Sequence, residues 1–150
     1  MLNSASAIGA VGELGHQVIE PGGPPCTCGS RGCLESRQRT PRVRSGAALL
    51  RRSVTVAEMV NLPECRPLFT KAGQYLGLVA ANIISALHPD LIVYGGGLSA
   101  LGDLLLGPIK STIAERVRMF PPAGISLERS ALGNQAGLLG ALAIAALDFS

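Results

Sequence analysis

PLFTKAGQYLGLVAANIISALHPDLIVYGGG, residues 67–97, decides the fold class of this chain. Its first two-thirds carries Leu68, Ala72, Tyr75, Leu76, Val79, Ala80, Ile83, Ile84 and Leu87 at steps of three and four. That spacing lays one apolar stripe along a helix. Pro67 suits the first helical turn, where its missing N–H forfeits no hydrogen bond, and His88-Pro89 stop the helix. Leu91–Tyr94 is short, apolar and β-branched at its centre, the composition of a buried strand. Gly95, Gly96 and Gly97 follow at once. A long amphipathic helix feeding a strand and then a glycine turn belongs to an α/β layer structure.

Toward the carboxy terminus, the pattern predicts a helix over 101–119, with Gly107-Pro108 breaking or restarting it and Pro121-Pro122 ending it. Residues 125–132 alternate loosely and predict a strand. GLLGALAIAAL, residues 137–147, has almost no polar face and predicts a closely packed helix. Toward the amino terminus, a short helix is expected near Thr55, with Ala57, Met59 and Val60 as its apolar side. Residues 36–53 are dominated by Arg, Ser and Thr without apolar periodicity, and predict a loop or linker. Before them lie a small, Gly-rich stretch at 7–15, an extended piece at 17–20, a turn cluster at 21–25 and a cysteine knuckle at 26–35. The organisation expected is therefore 1–35, an atypical Arg-rich linker at 36–55, and an α/β lobe at 56–150 with a mainly parallel sheet.

Composition bounds the function. A chain of 150 residues with 47% hydrophobic and 15% charged residues forms one domain with a real core, which excludes disorder throughout. Aromatics are only 3% and Trp is absent, so aliphatic side chains and glycine must build that core. A net charge of +3 is too small to argue for nucleic-acid binding. Arg37, Arg39, Arg42, Arg44, Arg51 and Arg52 fall within sixteen positions, but neither a helix-turn-helix pattern nor interleaved aromatics accompany them, so DNA contact is not expected. The longest apolar runs fall short of the ~18–20 residues of a spanning helix, and residues 1–10 carry no basic leader. A soluble, cytoplasmic protein without membrane contact is the expectation.

His16, Cys26, Cys28 and Cys33 are spaced His-x9-Cys-x-Cys-x4-Cys. In a reducing compartment this crowding points to tetrahedral Zn(II) ahead of a disulfide or plain buried thiols. A site filled by four protein ligands is structural, with no open position for a water nucleophile. Gly29 and Gly32 would let the backbone wrap the ion. Cys65 stands apart and reads as a lone thiol.

GELGH at 12–16, CTCGSRGCLE at 26–35 and YGGGLS at 94–99 together resemble the ROK family of repressors, open reading frames and sugar kinases. The similarity runs over residues 10–35 and about 71–146, whereas 36–55 are unlike the family. The resemblance implies an actin-like ATPase (ribonuclease H-like) fold, of which this chain carries the carboxy-terminal lobe, a partial fold with a zinc knuckle. It implies that Glu13, His16 and Glu35 bind sugar hydroxyls, with one ring nitrogen of His16 on zinc and the other toward the sugar. It assigns Gly95, Gly96 and Gly97 to adenosine, and places GLLGA at 137–141 near the interlobe hinge. A ROK-type, glucokinase-like hexose kinase using ATP with Mg(II) is the first functional reading, with a hexose or amino sugar as ligand and a homo-oligomer as the expected assembly.

The family's kinases also carry a DxGGT-like phosphate loop and an aspartate base upstream of GExGH. Neither is present: no aspartate precedes Glu13, and Asp90, Asp103 and Asp148 fall elsewhere. Without a base to take the sugar hydroxyl proton and without the phosphate clamp, catalysis by this chain alone is not expected, and no catalytic residue is assigned. The second reading is the sugar-sensing lobe of a ROK transcriptional regulator; the third is a truncated remnant without activity.

Overall fold

The computed structural model describes residues 12–39, 56–121 and 124–148. Five helices, α1 (Leu34–Arg39), α2 (Val56–Val60), α3 (Arg66–Leu87), α4 (Asp103–Arg116) and α5 (Ala136–Asp148), accompany two strands, β1 (Leu91–Tyr94) and β2 (Ser126–Arg129). The strands pair in parallel, from Leu91 opposite Ser126 to Tyr94 opposite Arg129. Parallel pairing requires a crossover, and α4 supplies it. The chain is thus a partial α/β unit, as the alternation of elements predicts.

α3 and α4 pack face to face around one apolar core. Phe69, Ala80, Ala81 and Ile84 of α3 meet Leu105, Ile109 and Ile113 of α4, with Met59, Cys65, Leu101 and Val117 closing the ends. Gly73 and Gly77 set how close the helices come. A Cβ added at Gly77 would stand 2.6 Å from Thr112 Cβ and 2.9 Å from the Ile109 carbonyl, and one at Gly73 would stand 2.8 Å from the Leu105 carbonyl. Counting large apolar residues alone overlooks this glycine face. α3 ends where His88 turns left-handed (φ 45°) and its N–H donates to the Ile84 carbonyl at 2.9 Å, which satisfies a carbonyl the helix would otherwise orphan.

Four expectations need correction. α4 runs unbroken through Pro108; one missing N–H costs a single bond in a helix whose neighbouring residues are buried against α3. Residues 36–39, expected in a loop, are helical within α1, while 40–55 lie outside the described residues. β1 is not buried on both sides. Ile92, Tyr94 and Leu127 pack on the core, but Leu91 and Val93 are 49% and 55% exposed, because the helices cover one face of the sheet. α5 exposes Leu138, Leu142 and Ile144 instead of packing closely. Its composition demands a neighbour, and no described element supplies one.

Candidate functional site

The knuckle is built from turns. Leu14–His16 makes one 3-10 turn, in which the His16 N–H donates to the Glu13 carbonyl at 3.0 Å. Antiparallel bridges then join Val18 to Cys33 and Pro25 to Arg31. Between them the chain doubles back: the Ile19 N–H donates to the Gly32 carbonyl at 2.9 Å, and the Cys26 N–H to the Ser30 carbonyl at 2.8 Å. Gly32 is irreplaceable in this geometry. Its φ is +76°, and a Cβ there would lie 1.7 Å from the Glu20 carbonyl oxygen.

This folding gathers His16, Cys26, Cys28 and Cys33, with all four donor atoms within 4.8 Å of one another. His16 Nδ1 is 3.5 Å from Cys26 Sγ, and Cys28 Sγ is 3.7 Å from Cys33 Sγ. Zinc–sulfur bonds of ~2.3 Å in a tetrahedron put sulfurs about 3.8 Å apart, so the donor set fits that ion in identity and in spacing. The thiols are electrostatically unlike. The Cys26 thiol is lowered to about 6, chiefly by the backbone N–H of Cys28, with further hydrogen bonds from Cys28, His16 and Cys33. Burial and then the neighbouring thiols push Cys33 up to about 11. A divalent cation would remove that conflict by favouring the thiolate at every sulfur.

The other face of the imidazole meets α1. His16 Nε2 stands 3.3 Å from Glu35 Oε2. Two of the three residues assigned to sugar therefore touch, and the second ring nitrogen of His16 faces a carboxylate. Orientation of a metal-binding imidazole by a carboxylate on its free nitrogen is a recurring arrangement. Glu13 is exposed at the start of the same turn. Ser36 steadies α1 by donating from Oγ to the Cys33 carbonyl at 2.7 Å.

The glycines form a second locus. Gly95 leaves β1, Gly96 takes φ +82°, and Gly97 opens a 3-10 turn reaching Leu101. The Ser99 N–H and Oγ both donate to the Gly96 carbonyl, at 3.0 and 2.7 Å. Gly96 and Ser99 line a cleft of about 520 Å³ together with Arg129, Ser130 and Gly133. The cleft lies beyond the carboxyl ends of both parallel strands, where open α/β sheets bind ligands. Arg129, Ser130 and Gly133 were not legible as site residues, since their approach to Gly96 depends on the parallel register of β2. Cys65 lies apart from both loci, buried, with its thiol raised by that burial and by Glu64. No described helix is long and apolar enough to cross a membrane.

A glucokinase of Thermotoga maritima is 31% identical over 96% of this chain and 51% of its own length. A xylose repressor of Bacillus spizizenii is 30% identical over 88% of this chain and 36% of its own length. Among solved structures, a ROK family glucokinase from Streptomyces griseus in complex with glucose and AMPPNP superposes with a TM-score of 0.70 at 26% identity, covering 89% of this chain and 50% of that one. The chain thus spans about half the length of the glucokinases it matches. The ROK family model matches residues 2–147, and the chain belongs to the ROK family.

Proposed function

We propose that this chain is the sugar-gripping and nucleotide-contacting lobe of a ROK-type hexose kinase. The 3.3 Å approach of His16 Nε2 to Glu35 Oε2, on the rim of a four-donor metal set, carries the reading. Glu13, His16 and Glu35 would accept from and donate to vicinal hydroxyls of a hexose or amino sugar. Zn(II) held by His16, Cys26, Cys28 and Cys33 would fix the tautomer and aim of the imidazole, and has a structural role only. Gly95, Gly96 and Gly97 would admit ATP, with Mg(II), against bare backbone at the cleft that Arg129 and Ser130 complete. The glucose and AMPPNP bound to the Streptomyces griseus relative support both ligand classes. Cytoplasmic residence and homo-oligomerisation belong to the same reading. The match to a xylose repressor favours a second one, a sugar-sensing effector lobe.

The 150 residues of this chain carry no match to the family's aspartate base or phosphate loop, so binding without turnover is the expectation for these residues by themselves. Calorimetry of the zinc-loaded chain with glucose, set against His16→Ala, tests the sugar site, and absence of sugar binding to the wild type sinks it. ADP release with ATP, Mg²⁺ and hexoses tests the rest. Sugar-dependent turnover above the His16→Ala control means that another group supplies the base. Sugar binding without any effect of AMPPNP favours the sensing lobe.

A further inference from the structure

The knuckle contributes no residue to the apolar core shared by α3, α4 and the sheet, so something other than that core must seat it. α3 carries two faces. Gly73, Gly77, Ala80 and Ile84 look toward α4 and the core, while Lys71, Tyr75 and Asn82 follow one another at four and seven residues on the opposite side. That second face holds the knuckle by polar groups. The Tyr75 hydroxyl donates to Glu20 Oε2 at 3.1 Å. Arg37 Nη2 pairs with the same carboxylate oxygen. The Arg37 guanidinium lies 5.7 Å and the Lys71 ammonium 4.9 Å from the centre of the Tyr75 ring. Asn82 Nδ2 donates to Gln17 Oε1 at 3.2 Å.

We propose that Glu20, Arg37 and Tyr75 form a clamp that seats the knuckle on α3 and thereby positions Glu35 and His16. Glu20 lies just before the metal donors Cys26 to Cys33 and Arg37 just after them, so their pairing closes the base of the knuckle. Its main chain is held as well: the Glu20 N–H donates to the Gly32 carbonyl at 3.2 Å, and the Glu20 carbonyl accepts from the Gly23 N–H at 2.9 Å. Arg37 also shares α1 with Glu35. Two residues apart on a helix, they point about 200° from one another, so anchoring Arg37 to Tyr75 fixes the rotation of α1 that presents Glu35 to His16. Arg37 is 13% exposed, which shields the pair from solvent on one side. None of the three residues touches ligand in this scheme; they are positioning residues. The effect on sugar rests on the sugar-binding reading, whereas the seating of the knuckle does not.

The test compares the zinc-loaded wild type with Tyr75→Phe and Glu20→Gln. The first removes one hydroxyl and keeps the ring; the second removes the charge and keeps the shape. Amide hydrogen exchange over residues 17–37 is expected to quicken about fivefold in each, the factor for one net hydrogen bond, with exchange in α3 and α4 unchanged. Glucose affinity should weaken about threefold or more, while zinc stoichiometry and the absorption spectrum of the cobalt-substituted site stay as in the wild type. Unchanged exchange at 17–37 in both variants overturns the clamp, and so does equal acceleration throughout the chain, which would mean general destabilisation. If the wild type itself binds no glucose, the sugar reading fails and the clamp still stands or falls on the exchange data.

Discussion

Residues 12–39 and residues 66–117 are ordered by different physics. The helical pair α3–α4 buries a continuous aliphatic core and brings its backbones together over Gly73 and Gly77. The knuckle has one short helix, two isolated bridges and two buried apolar side chains, Cys33 and Leu34. Its shape is specified instead by donor atoms facing one another and by Glu20, Arg37 and Tyr75 at its base. A core built from many contacts loses stability by increments. A segment organised around one ion loses it in a single step, because binding free energy is then folding free energy.

On the proposed zinc reading, metal removal should therefore give the largest effect. Structural zinc contributes ~10–16 kcal/mol in isolated finger peptides, comparable to the entire stability of an ordinary domain. Chelation, or Cys33→Ser, is expected to abolish exchange protection over residues 17–37 and to leave α3 and α4 protected. Protection of the knuckle that survives chelation would break the distinction between the two regions. Acid should act in the same direction as chelation. The Cys26 thiol is lowered to about 6, so the contribution of its thiolate to the folded knuckle is present above its ordinary value near 9 and is lost as pH falls through about 6.

The two regions also differ in how far the sequence exposed them. The donor set was readable because ligand chemistry leaves its mark in residue type and local spacing, and His16 to Cys33 lie within one turn-rich segment. α3 and β1 were readable from apolar period and end signals. Burial was not. The outer faces of β1 and α5 have the composition of interior surface, yet whether Leu91 or Leu142 is covered depends on a neighbour that no local pattern encodes. Arg37 falls in an Arg-rich stretch that reads as a loop, because its partners, Glu20 and Tyr75, are remote in sequence. Tyr75 falls on the apolar stripe of α3 by spacing, although its hydroxyl donates to Glu20 in the knuckle. The Arg129–Ser130 side of the glycine cleft was hidden for a related reason, since only the parallel pairing of β2 with β1 brings it beside Gly96.

Among the helices, two glycines sharpen the contrast. Gly77→Ala gains up to about 1 kcal/mol of helix propensity but drives a methyl against Thr112 and the Ile109 backbone. Backbone cannot rotate away as a side-chain tip can, so overpacking of ~1–3 kcal/mol wins and the variant should melt lower. By contrast, Gly140→Ala on α5 meets nothing within 4 Å and precedes no proline, so it should stabilise by up to about 1 kcal/mol. Thermal unfolding of the two single variants checks the opposite signs. Equal shifts would mean that helix spacing, and not propensity, had been misjudged.

The smallest effect on stability belongs to the exposed apolar side chains of α5, and it is the one that reports on assembly. Leu138, Leu142 and Ile144 are 66%, 57% and 64% exposed, and Leu138 and Leu142 are one turn apart. A leucine in water contributes little to the folded state that carries it, so Leu142→Lys should shift unfolding by no more than about 0.5 kcal/mol. The same side chain is costly to leave uncovered when a partner surface is available, and a contiguous apolar face on a helix marks a contact. Light scattering of the wild type is thus expected to show self-association that rises with concentration, and Leu142→Lys should shift the distribution toward monomer at matched stability. A wild type that stays monomeric at high concentration removes the basis for this contact. Self-association that ignores the substitution moves it from α5 to another surface, with the exposed Leu91 and Val93 of β1 as the next face to charge.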